Sequence, residues 1–182
     1  MSAFSDRRFR GLVYRALNPL YARDPLSGRG AALHGGRFNA KGTEALYTAL
    51  DPKTALFEAN QVGDLQPTVL VSYRAEIGPI FDSRDTQILK NRGASPELLA
   101  DAGWRRAMIE AREVPTHNFA RDLVADGYVG LLVRSYAKGS LDTDLNLVLW
   151  RWTGPGCSLT VIDDENRLKS AVPDKDEKPP SD

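Results

Sequence analysis

The sequence predicts a single α+β domain with a mixed β-sheet core and flanking helices. The chain has 182 residues, and about 100–200 residues is the usual size of one domain. Strand-like and helix-like segments come in mixed order rather than in strict alternation, which favours α+β over a doubly wound sheet. Hydrophobic residues make up 42% of the chain and charged residues 26%, as in ordinary globular proteins.

Seven short segments have the apolar or alternating pattern of β-strands. Residues 68–75 alternate and are rich in β-branched side chains, and residues 128–135 form an apolar run typical of a buried strand. The other predicted strands cover residues 12–15, 44–48, 80–82, 145–152 and 159–162.

Four segments predict helices, two of them with clear start signals. Asp51 precedes Pro52 and Ser95 precedes Pro96, so that a capping side chain stands before a proline whose missing N–H is not needed. Helical patterns also cover residues 104–113 and 118–125, with residues 115–118 expected to break the pattern between them. Residues 18–30, with two prolines and two glycines, predict a loop.

The domain is expected to cover residues 11–172. Residues 1–10 are polar and basic, have no apolar signal-peptide region, and predict a flexible lead-in. Residues 173–182 consist of Pro, Asp, Lys, Glu and Ser and predict a disordered tail.

Charge and composition exclude several classes of function. The chain has 24 basic and 24 acidic residues, so no overall field attracts nucleic acid or anionic membrane. No apolar run approaches the about 18–20 residues of a spanning helix, and we expect a cytoplasmic protein. The single cysteine, Cys157, allows neither an internal disulfide nor a Cys-rich zinc site, and no metal site is predicted.

The densest chemical signal is a glycine-rich segment at residues 28–42. It contains five glycines together with Arg29, His34, Arg37 and Lys41. Glycines let the backbone approach a ligand closely, and arginine fits phosphate oxygens. The segment matches neither a P-loop nor a dinucleotide fingerprint. It indicates either a site for a phosphate-bearing small molecule or a solvated surface loop.

Three residues at regular spacing extend this signal. Arg37, Tyr47 and Glu58 follow one another across a predicted strand and the start of a helix. If they converge on one cleft, the arginine neutralises a pyrophosphate, the ring stacks on a planar cation, and the carboxylate stabilises positive charge on a sugar. The alternative is that Tyr47 is a core residue and Glu58 an exposed helix residue.

An ordered set of motifs resembles the RES-domain toxins, the toxin halves of bacterial RES/Xre toxin–antitoxin pairs. The motifs lie at residues 14–15, 28–31, 35–42, 46–50, 54–58, 126–135 and 144–150. The resemblance covers residues 11–152. It implies a fold similar to ADP-ribosyltransferase toxins, with NAD as the substrate and no separate cofactor.

The same resemblance implies roles for individual residues. Glu58, Arg37 and Tyr47 match the catalytic acid, arginine and tyrosine of the family. The residues expected to bind NAD are Tyr14, Arg15, Gly36, Asn39 and Ser135.

The implied activity is cleavage of the nicotinamide–ribose bond, by hydrolysis or phosphorolysis. Mono-ADP-ribosylation of a host-cell protein is an alternative. A non-enzymatic nucleic-acid-binding regulator is another, on the basic residues at 7–10 and 105–106. The expected partners are NAD, an Xre-like antitoxin that covers the active site and a second copy of the chain within that complex, with neither membrane nor direct nucleic-acid binding.

Overall fold

A computed structural model describes residues 4–60 and 66–170. Its centre is an eight-stranded sheet with the order β5-β6-β7-β3-β2-β4-β8, in which β1 pairs with β2 beside this path. The strands are β1 Phe4–Ser5, β2 Arg8–Leu17, β3 Leu46–Ala49, β4 Val69–Ile77, β5 Ile80–Asp82, β6 Gly130–Arg134, β7 Leu145–Leu149 and β8 Cys157–Val161.

Seven short helices flank the sheet within the described ranges. They are α1 Arg29–His34, α2 Pro52–Ala59, α3 Thr86–Asn91, α4 Pro96–Ala100, α5 Trp104–Ile109, α6 Pro115–Ala125 and α7 Arg167–Ser170. The β5–β6 pair is parallel and the other strand pairs are antiparallel. The prediction of an α+β fold with a mixed sheet and flanking helices is confirmed.

Two apolar cores cover the two faces of the sheet. One is centred on β2 and β4, where Val13, Tyr73 and Ile77 are fully buried. The other packs Phe81 and Leu131 against α6, whose Leu123 is fully buried. The predicted strand over residues 128–135 is β6, an interior strand between β5 and β7, and its continuous apolar run reflects burial on both faces.

The predicted start signals of two helices are confirmed. The Asp51 side chain accepts a hydrogen bond from the Lys53 N–H, and Pro52 is the first residue of α2. Ser95 caps α4 in the same way, with Pro96 at its first position. The Asp51 cap fixes where α2 begins and therefore where its last turn, which carries Glu58, meets the sheet.

Three local predictions are wrong for identifiable reasons. Residues 115–118 do not break a helix, because Pro115 is the first residue of α6, where proline is well tolerated. Residues 18–30 are not all loop, because α1 begins at Arg29 with good helix formers behind it. The helix predicted at 104–113 ends at Ile109, because Ala111, with a φ of 52°, adopts a left-handed conformation that cannot continue an α-helix.

The N-terminal lead-in predicted for residues 1–10 also differs from the structure. From Phe4 onward it contributes β1 and the start of β2. Arg8, Phe9 and Arg10 alternate, so that Phe9 is 1% exposed in the core while its basic neighbours point away from it. The high charge of this segment hides a strand pattern. The tail predicted at 173–182 lies outside the described residues.

Candidate active site

A cleft of two adjoining chambers opens between α2, the middle of the sheet and α5. The smaller chamber has a volume of about 240 Å³ and the larger one about 450 Å³, and small-molecule sites usually measure about 300–1,000 Å³. The residues that line both chambers are Arg15, Tyr47, Glu58, Ala59 and Asn146. Two predicted catalytic residues, Tyr47 and Glu58, therefore stand where the chambers meet.

Glu58 is held in position by side chains from two other elements. Ser135, directly after β6, donates a hydrogen bond from Oγ to Glu58 Oε1 at 2.6 Å. Asn146 on β7 donates from Nδ2 to the same oxygen. Ser140 Oγ lies 2.7 Å from Ser135 Oγ. Because the single hydroxyl proton of Ser135 is directed at Glu58, Ser140 is the donor in that pair. These linked donors fix the orientation of the carboxyl group.

Tyr47 turns its hydroxyl away from the cleft and into the protein. Its Oη donates to Asn39 Oδ1 at 2.7 Å and accepts from the Phe38 N–H at 3.0 Å. Burial raises the pKa of Tyr47 far above that of a free phenol. The phenol is therefore neutral at physiological pH, and what it presents to the chambers is ring surface.

The glycine-rich segment is tied to Tyr47 rather than lying loose on the surface. A Cβ atom at Gly36 would overlap with Tyr47 Oη, so only glycine fits there. The Gly36 carbonyl oxygen lies 2.7 Å from His117 Nε2. Asn39, 2% exposed, donates from Nδ2 to Ala31 O and Thr43 O. Asn39 thus supports this segment from behind the cleft, while Gly36 lines the larger chamber.

Arg15 lies on β2 at the base of both chambers. Its Nη1 donates to the carbonyl oxygens of Pro25 and Ser27 at 3.2 and 3.1 Å. Burial lowers the pKa of Arg15, although guanidinium groups stay charged in proteins. Tyr14, its neighbour, lines the smaller chamber only. The predicted Tyr-Arg pair is therefore part of the cleft.

Arg37 lies in the wall of the larger chamber. Its Nη1 donates to the carbonyl oxygens of Leu99 and Asp101 at the end of α4. Its guanidinium carbon lies 4.8 Å from the centre of the Tyr136 ring and 5.8 Å from that of Trp104. Burial lowers the pKa of Arg37, and the charge of Glu58 opposes that shift. The predicted Arg37, Tyr47 and Glu58 thus share one chamber.

The chain matches the model of a known protein family. The family model of the RES domain matches residues 12–170, which is most of the chain. The chain belongs to the RES domain family. Every residue named above as part of the cleft lies within the matched range, and so does the second hydroxyl, Ser140.

The fold of this RES domain is similar to that of a solved protein. A chain in the crystal structure of the M. tuberculosis MbcT–MbcA toxin–antitoxin complex is 20% identical to it, with a TM-score of 0.56. The similarity covers 86% of this chain and 83% of that chain. At this identity it supports the fold alone. No curated protein matches this chain in sequence.

Several residues of the RES domain cleft were not predicted. Asn146 is the most informative, because a polar residue between Leu145 and Leu147 interrupts an apolar strand and could have signalled a site. Tyr136 and Arg105 follow no such pattern, since they approach the cleft only through tertiary packing. Trp104 also lies in the wall of the larger chamber.

Two other features of the described residues concern metal binding and membrane insertion. Over residues 4–60 and 66–170, no group of three or more His, Cys, Asp or Glu side chains could hold a metal ion. Within the same ranges, the helices are too short or too polar to cross a bilayer.

Proposed function

We propose that this RES domain is a toxin that consumes NAD by cleaving the bond between nicotinamide and ribose. The observation that carries the proposal is the position of Glu58. Its carboxyl group is oriented by Ser135 and Asn146 at the junction of two chambers, beside an arginine and an aromatic ring.

A single carboxylate suffices for this reaction. Nicotinamide carries the positive charge in NAD and leaves as a neutral molecule, so no general acid is needed. Ordinary glycosides differ, because their leaving oxygen must be protonated and two carboxylates are commonly used. Glu58 is the one carboxylate among the described residues that line the two chambers. It accepts a hydrogen bond from the ribose 2′-hydroxyl and stabilises the oxocarbenium-like transition state as positive charge develops.

The remaining cleft residues orient the dinucleotide. Arg15 and Arg37 are fixed by backbone carbonyls, which keeps their charges in place for the pyrophosphate. The Tyr47 ring packs against the nicotinamide ribose and shields it from bulk water. Ser135 acts through Glu58 rather than on the substrate, since its only hydroxyl proton is already donated.

The acceptor of ADP-ribose is water or phosphate in this proposal, and a protein side chain in the alternative. The test is incubation of the purified chain with NAD, with and without inorganic phosphate, followed by mass spectrometry. Hydrolysis gives nicotinamide and free ADP-ribose, and phosphorolysis gives the phosphorylated form of ADP-ribose. A protein that gains the mass of ADP-ribose identifies a transferase. Intact NAD under every condition contradicts the proposal.

We also propose an antitoxin partner for this chain. The similar structure is a toxin–antitoxin complex, and an open cleft of this size can be blocked by a segment of another protein. We propose an Xre-like antitoxin that covers the chambers, in a cytoplasmic complex that contains two copies of the chain. Expression of the chain alone is expected to deplete cellular NAD and stop growth, and co-expression with that antitoxin to prevent both effects. Growth arrest without NAD loss contradicts the assignment.

A further inference from the structure

The wall of the larger chamber contains a cluster of alternating cations and rings. Arg105 lies with its guanidinium carbon 5.2 Å from the centre of the Trp104 ring. Arg37 approaches the same ring at 5.8 Å and the Tyr136 ring at 4.8 Å. All four side chains line the larger chamber, and none of them lines the smaller one. We call these four residues the stacking wall.

The two chambers differ in charge as well as in aromatic surface. Four arginines line the larger chamber, namely Arg15, Arg37, Arg105 and Arg134, and they face a single carboxylate. The smaller chamber has only Arg15 and Glu58 as charged residues. The larger chamber therefore suits a polyanionic ligand, whereas the smaller one suits a compact group with little negative charge.

We propose that the larger chamber binds the ADP half of the dinucleotide, with Trp104 and Arg105 as the residues that recognise it. This inference rests on the function proposed above. The adenine ring stacks on the Trp104 side of the stacking wall, and the guanidinium group of Arg105 joins those of Arg15 and Arg37 in binding the pyrophosphate. The nicotinamide ribose then lies at the junction beside Glu58, and the nicotinamide ring enters the smaller chamber.

The two wall arginines both have N–H groups that can donate to a bound ligand. Arg37 uses Nη1 for two carbonyls, and its Nε and Nη2 make no other hydrogen bond to the described residues. Arg105 is exposed, and no carboxylate pairs with it over residues 4–60 and 66–170. Both guanidinium groups can therefore donate to phosphate oxygens, and the Trp104 ring beside them offers a surface on which a purine can stack.

The test measures binding of two fragments, ADP and inorganic pyrophosphate, by titration calorimetry at one ionic strength. Alanine at a residue that stacks on a base weakens binding by about tenfold or more. Trp104→Ala is expected to weaken ADP binding by about that factor and to change pyrophosphate binding little. Arg105→Ala is expected to weaken both by about fivefold, because it removes a charged donor from an exposed site.

Arg106→Ala is the matched control. Arg106 is the next residue on α5, is paired with Glu110, and does not line either chamber. Its substitution is expected to leave the binding of both fragments unchanged. Circular dichroism of each variant checks folding, and the exposed Arg105 keeps the test valid if Trp104→Ala does not fold.

The outcomes separate this inference from the proposed function. Absence of ADP binding to the wild-type chain overturns the inference even if NAD is cleaved. Equal ADP affinity in the wild type, Trp104→Ala and Arg105→Ala overturns it as well. If the variants weaken ADP binding as expected but NAD is never cleaved, the ADP site is supported and the proposed reaction fails.

Discussion

The base of the cleft and its wall are built in different ways. The base consists of Arg15, Tyr47 and Asn146, which lie on the neighbouring strands β2, β3 and β7 and are fixed by strand pairing. The wall is formed by short helices and turns, with Arg37 after α1 and Trp104 and Arg105 on the six-residue α5. Chemistry needs reacting groups held within fractions of an ångström, which a sheet provides. Binding of a flexible ligand needs less precision, so side chains on short helices and turns can shift to fit it.

The comparison predicts that changes at Glu58, and at Asn146 of the base, which orients it, lower kcat, whereas changes at the wall raise KM. The largest effect is expected for Glu58→Gln, which keeps the shape of the side chain but removes the charge that stabilises the transition state. The rate of NAD cleavage should fall by about 10³-fold, with thermal stability close to that of the wild type. Cleavage at the wild-type rate would remove Glu58 from the mechanism.

A smaller loss of kcat is expected for Asn146→Ala. Among the hydrogen bonds that the described residues donate to Glu58 Oε1, this substitution removes the one from Asn146 and leaves the one from Ser135. We expect kcat to fall by about 10–100-fold with KM changed little, as for residues that position a catalytic group. Ser140→Ala, one donor further from Glu58, should have a weaker effect in the same direction. A rise of KM with an unchanged kcat would argue instead for direct substrate binding by Asn146.

Arg37→Ala tests whether the wall of the larger chamber binds NAD. Because Arg37 is proposed to bind the pyrophosphate in both ground and transition states, KM for NAD should rise by about tenfold while kcat changes little. Arg106→Ala, outside the chambers, provides the control. An unchanged KM would count against the pyrophosphate assignment.

Tyr47→Phe separates the ring from the hydroxyl. Loss of Oη leaves the Phe38 N–H and Asn39 Oδ1 without their partner. Such unpaired buried groups cost about 1–3 kcal/mol, so Tm should fall by about 5 °C, while NAD cleavage is largely retained. Tyr21→Phe is the control, because Tyr21 is 68% exposed. An unchanged Tm for Tyr47→Phe would show that the hydroxyl does not hold the glycine-rich segment.

The smallest expected effect is a loss of stability at alkaline pH, which tests the buried tyrosine that supports Arg15 of the base. Burial raises the pKa of Tyr73, beside Arg15, to about 12, compared with about 10 for a free phenol. The folded state then binds more protons than the unfolded state between these values, so stability falls as pH rises from about 10 to 12. We expect Tm to decline in this range and Tyr73→Phe to decline less. An equal decline of Tm with pH in the wild type and in Tyr73→Phe would contradict the assignment of this stability loss to Tyr73.

Much of the fold and of the site's base could be predicted from the sequence. Alternation marked β4, and the Asp51–Pro52 pair marked the start of α2, because local capping and pleat geometry leave direct traces in sequence. Order and spacing left two interpretations of Arg37, Tyr47 and Glu58 open, and the resemblance to the RES-domain toxins identified them as site residues. They share one chamber. Their catalytic and binding roles remain predictions.

The wall could not be predicted in the same way. Arg105 and Tyr136 meet only because α5 and the segment after β6 pack around Arg37, a tertiary arrangement that no local pattern encodes. Phe9 shows the same limit in the fold, since its two charged neighbours made a core strand look like a polar lead-in. Asn39 is predicted to contact NAD, and its tertiary contacts show in addition that it supports the glycine-rich segment, which no local pattern indicated.

The most direct measurement is a crystal structure of the Glu58→Gln variant soaked with NAD. Our account predicts intact dinucleotide with the anomeric carbon of the nicotinamide ribose at the junction of the chambers, about 3–4 Å from the side chain of residue 58. The pyrophosphate should contact Arg37. A dinucleotide bound with its nicotinamide ribose in the outer part of the larger chamber, away from residue 58, would contradict the account.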